Sequence, residues 1–186
     1  DYVRGTGTEH WSYATDFDGI DLTVGSLERQ ANVRVANGAF VTASSSSINI
    51  LGDSTASTTV DAQSGAFTLQ TINATLDAQY MTMTGTNASG LQLLSSTTMT
   101  DLENVEFTIG AASAAITVDA STIDTNPATQ FFNTDFVTGG GNVNVTLSGS
   151  PTSFWWFRDG AGDRYGEAFD NADADPGNIR WDDSNY

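Results

Sequence analysis

Cysteine and lysine are both absent from the 186 residues, and there are only one histidine (His10) and three prolines. Without cysteine there is no disulfide frame, no thiolate nucleophile, and no zinc–thiolate or iron–sulfur site. A single histidine removes most zinc enzymes as well. The lack of cysteine does not fix the compartment, because many surface proteins use none. No apolar run approaches the roughly 18 residues needed to cross a bilayer, so membrane insertion is not expected. Positive charge is scarce too: six arginines stand against 23 acidic residues, giving a net charge of −17 and a pI near 4.1. A field this negative repels phosphate backbones and excludes nucleic acid as a partner.

High net charge can keep a chain unfolded, but 39% of the residues are hydrophobic and 10% aromatic, and they recur in ordered patches. The patches read as short strands: 33–35, 39–42, 48–51, 66–72, 79–84, 91–94, 105–109, 115–118, 142–147 and 153–157. Several alternate strictly, as in Val143-Asn144-Val145-Thr146-Leu147, so alternate side chains share a face. Thr and Val, stiff at their first side-chain torsion, favour the pleated backbone. Only 26–33 could form a helical turn or two.

Three segments overlay: FTLQTINATLDAQYMTMTGTNASG from Phe67, LQLLSSTTMTDLENVEFTIGAASA from Leu91, and AITVDASTIDTNPATQFFNTDFVTGGG from Ala115. Each passes from an alternating strand through a polar turn to a second strand around an aromatic (Tyr80, Phe107, Phe136), with glycine soon after. The closest match sets Asn104-Val-Glu-Phe107 against Asn133-Thr-Asp-Phe136. A period of about 24 to 28 residues with two or three strands fits one coil of a parallel β-helix. Stacked coils would then bury the columns Leu69/Leu93/Val118/Val145 and Tyr80/Phe107/Phe136. The alternative is an antiparallel β-sandwich, which fits the strand number and lengths but gives no reason for a coil-length repeat. On the solenoid reading, residues 1–32 are an N-terminal segment or cap, 33–150 the coils, and 151–186 an aromatic and acidic C-terminal cap.

The coil pattern with small polar turns resembles repeat modules of large exported and cell-surface proteins of bacteria and archaea. The tail is similar to a closing segment of such modules: Trp156-Phe157-Arg158, then Gly166-Glu167-Ala168-Phe169-Asp170-Asn171, then Asp175-Pro176-Gly177-Asn178-Ile179-Arg180-Trp181-Asp182-Asp183-Ser184. The resemblance spans about residues 48–184. It implies a right-handed parallel β-helix in an extracellular or cell-surface structural module, with no catalytic residues to carry over. A start at Asp1 without methionine suits a processed or excised segment.

Several residues could carry chemistry. Asn171, Asp173 and Asp175 alternate, a glycine turn follows at Gly177, and Asp182 comes later, the manner in which a loop wraps Ca²⁺. Pro176, however, stands where an EF-hand loop needs glycine, and Asp-Pro-Gly is also a plain turn signal. Asp16, Asp18 and Asp21 form a second, shorter candidate for calcium. In Phe154-Trp155-Trp156-Phe157 both faces of a strand are aromatic. One pair can enter the core, while Trp155, Phe157 and Trp181 could cap the last coil or contact a neighbour or a surface glycan. Arg158, Arg164 and Arg180 should pair with Asp163, Glu167, Asp170 or Asp182. Sequons place possible glycosylation at Asn73, Asn87 and Asn144.

A polysaccharide lyase would need a basic residue in its groove, and none occurs between Phe67 and Leu147. A hydrolase could draw on Asp101, Glu103 or Glu106, which read as ordinary surface acids of one coil. The reading is therefore a non-catalytic structural protein, not an enzyme: a rigid β-solenoid segment of a cell-surface protein or self-assembling filament. Its partners would be copies of itself or neighbouring domains of a longer chain. An adhesin or carbohydrate-binding module is the alternative, and a polysaccharide lyase or hydrolase the second.

Overall fold

Alternation of Val, Ile, Leu and Met with Thr, Ser, Asn and Gln makes one face of each strand apolar, and a strand so built must stack that face on an equivalent one. The computed structural model describes residues 2–3, 8–11, 14–16, 22–26, 30–108, 114–137, 143–162, 165–171 and 177–182, the first three segments as backbone. The first coil holds β1 (Tyr2–Val3), β2 (Thr8–Trp11) and β3 (Ala14–Asp16); the second β4 (Leu22–Gly25), β5 (Asn32–Val35) and β6 (Phe40–Ser44). The third holds β7 (Ser47–Leu51), β8 (Thr58–Ala62) and β9 (Phe67–Ile72). In the fourth, β10 (Thr75–Thr84) spans two sides of the coil and is followed by β11 (Thr86–Leu94). The fifth has β12 (Thr98–Thr108), β13 (Ile116–Asp119) and helix α1 (Ala120–Thr125). Then come β14 (Thr129–Phe132), β15 (Thr134–Val137), β16 (Val145–Ser148), β17 (Trp155–Arg158) and β18 (Ile179–Trp181).

Every pair of these strands is parallel, and the chain winds as a β-solenoid of about five turns. The antiparallel sandwich is thereby excluded. One sheet runs β16-β13-β11-β9-β6-β3, a second joins the strands of the other two sides, and β14-β17-β18 form a third. The ladders reach into the N-terminal segment: β1 pairs with β4, β2 with β5 and β3 with β6, so these strands join the same stacks. Asn32 and Val33, part of the stretch that could have been helical, lie in β5.

The stacked columns differ from those expected. Val41, Leu69, Leu91, Ile116 and Val145 form one, and Ala43, Thr71, Leu93, Val118 and Leu147 the next. The expected column thus mixed two neighbouring ones. A slip of two residues keeps every side chain on the same face, so alternation alone cannot detect it. On another side, Val33, Val60, Met83, Phe107 and Phe136 stack, with Met83 where Tyr80 was expected. Tyr80 has φ of +50° and sits at a corner, as Asn104 (+54°), Asn133 (+52°) and Asp159 (+54°) do one coil after another. A left-handed residue turns the strand and resets its alternation, so in β10 the buried positions change from Leu76 and Ala78 to Met81 and Met83.

Helix α1 closes a break between β12 and β14. Side chains within it and at its two ends take over the role of a missing backbone strand. Asp119 accepts from the N–H of Ser95, Ser121 Oγ from Ser96, Thr122 Oγ1 from Thr97, and Asn126 Oδ1 from Met99. Asp119 is also the helix N-cap, accepting from Thr122 N–H at 2.8 Å. Burial raises its carboxyl pKa, but the bonds from Ser95, Ser121 and Thr122 outweigh that and hold it below its ordinary value. A depressed carboxyl contributes stability above its unfolded pKa, lost as pH falls through the folded value. Asp119→Ala should therefore cost about 1 kcal/mol near neutral pH, a gap that closes on acidification in chemical denaturation.

Candidate functional site

The corner residues Tyr80, Asn104 and Asn133 border a concavity of about 280 Å³ on the side of the rod. Its floor continues along the outward residues Thr82, Glu106 and Asp135, which are ladder partners on β10, β12 and β15. Ser54 and Ser57 add a wall. The wall exists because the third coil takes residues 52–57 to pass the corner that β10 passes with Tyr80 alone. Asp53 shapes this loop, its Oδ1 accepting from the hydroxyl and N–H of Thr55 and from the N–H of Ala56. Those bonds, led by the Thr55 hydroxyl, hold the Asp53 carboxyl below its ordinary pKa. Gly52 permits the close seating: a Cβ there would lie 2.2 Å from the Tyr80 carbonyl oxygen and 2.6 Å from Thr58 N.

The polar groups of the concavity are partly spoken for. Asn133 Nδ2 donates to Asn104 Oδ1 at 3.1 Å, and Asp135 Oδ1 accepts from Ala161 N–H at 2.7 Å. Burial pushes the Asp135 carboxyl up. A raised carboxyl stabilises the fold below its unfolded pKa, and that contribution is lost as pH rises through the folded value. Asp135→Asn keeps an acceptor for Ala161 and removes the charge. It should stabilise the protein near neutral pH by less than about 1 kcal/mol and have no benefit in acid, read as the difference in melting temperature at the two pH values.

Of the acids weighed for hydrolysis, Glu106 lies in the concavity, whereas Asp101 and Glu103 are not among its lining residues. Asp101 stands opposite Asp77 on the ladder; burial, Glu103 and Asp77 all push its carboxyl up. The partner that Glu106 does have, Asp135, was not singled out from the sequence. The signal was the match of Asn104-Val-Glu-Phe107 to Asn133-Thr-Asp-Phe136, which sets both corner amides and both carboxylates in register.

At the C-terminal end, strand alternation assigns the aromatics the other way round from the contact surface expected. Trp155, Phe157 and Trp181 are buried, so none of them presents a ring to a glycan or a neighbour. Phe157 stacks on Trp181 with ring centroids 4.9 Å apart, and Phe131, Phe136 and Tyr165 pack around them. They fill the end of the core. Phe154 and Trp156 take the partly exposed face, each under a guanidinium: Arg180 lies 3.6 Å from the Phe154 centroid and Arg158 4.8 Å from that of Trp156. Arg158 also pairs with Asp182 at 3.3 Å, as expected, while Arg180 bonds the Gly177 carbonyl. Arg164 and Asp163 lie outside the described residues.

The calcium candidates divide similarly. Asp173, Asp175, Asp18 and Asp21 lie outside the described residues, and Asp16 is described as backbone in β3. Asn171 is engaged with β16, accepting from Leu147 N–H and donating to the Leu147 carbonyl, and Asp182 with Arg158. Among the described residues no group of three or more His, Asp or Glu is placed to hold a metal. Of the sequons, Asn73 is exposed at a corner. The Asn87 amide donates to Thr68, and Asn144 is fully buried, which closes it to glycan transfer in the folded chain.

The fold and this site together define a parallel β-solenoid with a polar side concavity. Compared with protein-family models, curated proteins and solved structures, the chain matches none of them.

Proposed function

We propose that the chain is a non-catalytic structural segment, a rigid β-solenoid rod of an extracellular or cell-surface protein or filament. The observation that carries the reading is the continuity of the stack. Inward columns such as Val41/Leu69/Leu91/Ile116/Val145 run from coil to coil, and outward positions hold mainly Thr, Gln and Asn. Outward pairs are hydrogen-bonded ladders, such as Asn49 with Thr23, Gln70 with Thr42 and Thr59 with Asn32. The concavity brings carboxylates together without an imidazole or cation among its lining residues. That weakens a lyase mechanism, which needs a base and a charge-neutralising partner.

Neighbours would join at the ends. β18 is the last strand of its sheet and has no further partner among the described residues, and an open strand edge is a template for another chain. Copies of this chain or adjoining domains of a longer one supply that partner. Electron microscopy of native material tests the reading: rods or filaments support it, and monomers at high concentration by light scattering count against self-assembly. Release of reducing ends from polysaccharides would overturn the non-catalytic part. Calcium bound by the C-terminal acidic loop would raise the melting temperature at millimolar metal; an unchanged melt removes it from the proposal.

A further inference from the structure

The concavity at the Tyr80 corner has features that a purely structural rod does not need. Corners of this kind suit Asn, which tolerates the left-handed backbone, and the next two coils use Asn104 and Asn133. Tyr80 adopts the same conformation at a steric cost, yet it is the aromatic that lines the hollow. Strain of this sort is retained where the side chain is wanted for its position. The inserted loop 52–57 rises beside this corner, and in solenoids such insertions commonly build the binding face.

We propose that this concavity binds a single neutral sugar ring, stacked on Tyr80 and hydrogen-bonded through its hydroxyls to Asn104, Asn133, Glu106 and Asp135. The spare hydrogen-bonding capacity matches that ligand. The hydroxyls of Tyr80, Ser54 and Ser57, the second oxygens of Glu106 and Asp135, and the Asn104 amide nitrogen have no described partner. A sugar hydroxyl donates and accepts at once, so it pairs with this mixture of acceptors and donors. The aromatic ring supplies an apolar face for the C–H face of a pyranose. At about 280 Å³ the hollow has room for one ring. Charge selects further: the lining carboxylates and a net charge of −17 repel uronic and sialic acids. The site is additional to the structural role and does not depend on it.

Saturation-transfer NMR on the whole chain tests this, with methyl glycosides of glucose, galactose, mannose and N-acetylglucosamine as probes and glucuronic acid as the anionic comparison. At least one neutral glycoside should bind with a Kd of the order of 1 mM. Tyr80→Asn installs the residue that the neighbouring coils use, so the variant should fold with an undiminished melting temperature while binding weakens about tenfold. Asn104→Ala should weaken binding as well. The proposal is overturned if none of the neutral glycosides binds, if Tyr80→Asn binds as well as the parent chain, or if glucuronic acid binds equally. Product release from a bound sugar would instead bear on the non-catalytic reading and leave the site in place.

Discussion

Phe157→Ala should destabilise the protein by about 3–5 kcal/mol, the range for emptying a buried aromatic position. For a chain of this size that corresponds to a fall in melting temperature of roughly 6–20 °C. Phe157 is fully buried and central: its ring packs on Phe131 at 5.2 Å, Phe136 at 5.7 Å and Trp181 at 4.9 Å. Alanine would leave a cavity bordered by three rigid rings with little freedom to collapse into it. Because coils touch only their neighbours, the damage should concentrate at the C-terminal end. Trypsin reads this directly, since its sites at Arg158 and Arg180 lie there and none occurs between Arg34 and Arg158. The variant should lose its C-terminal coils to trypsin while the core survives. Phe132→Ala is the control: this ring is 37% exposed, and its removal should stay within about 0.5 kcal/mol.

The second large effect is expected at Asn126, whose loss should cost about 3 kcal/mol, because buried donors and acceptors left unpaired are penalised individually. Its Oδ1 accepts from Met99 N–H at 2.8 Å, and its Nδ2 donates to the carbonyls of Thr97 and Thr122, both at 2.7 Å. Asn126→Ala orphans the Met99 N–H and the Thr97 carbonyl at the place where no β ladder joins β12 to β14, while the Thr122 carbonyl keeps the backbone N–H of residue 126. Hydrogen exchange in the variant should show the Met99 amide, which loses its acceptor, opening before the rest of β12. Uniform exchange along β12 would show that the helix side chains do not hold this break.

The parallel solenoid was legible because its signals are repeated: a period near 25 residues, strict alternation, and neutral outward side chains. What alternation cannot carry is register. Leu69 and Leu93 are both inward, but Leu69 stacks on Leu91, and only the backbone ladder distinguishes these options. Tyr80 misled for another reason. An aromatic followed by glycine reads as core, while its true role depends on φ, which sequence reports only when Asn or Gly occupies the corner. Helix α1 escaped notice because six residues are too few to show a helical period, and Ile116-Thr-Val-Asp119 reads straight on as strand. The concavity was not legible: in sequence Glu106 reads as an ordinary surface acid, and Asp135 becomes its neighbour only after coil stacking.

The stepwise ladder has a mechanical consequence. Equivalent residues are 28, 22, 25 and 29 positions apart along the column from Val41 to Val145. One turn therefore stores about 85 Å of chain, at ~3.4 Å per residue, within about 4.8 Å of axial length. Tension applied along the axis would peel strands from an end a few hydrogen bonds at a time, without shearing a whole sheet at once. Each released turn would lengthen the molecule nearly eighteenfold relative to its folded rise. A rod of this construction is stiff while intact and, beyond a threshold load, becomes an extensible tether that yields in coil-sized steps.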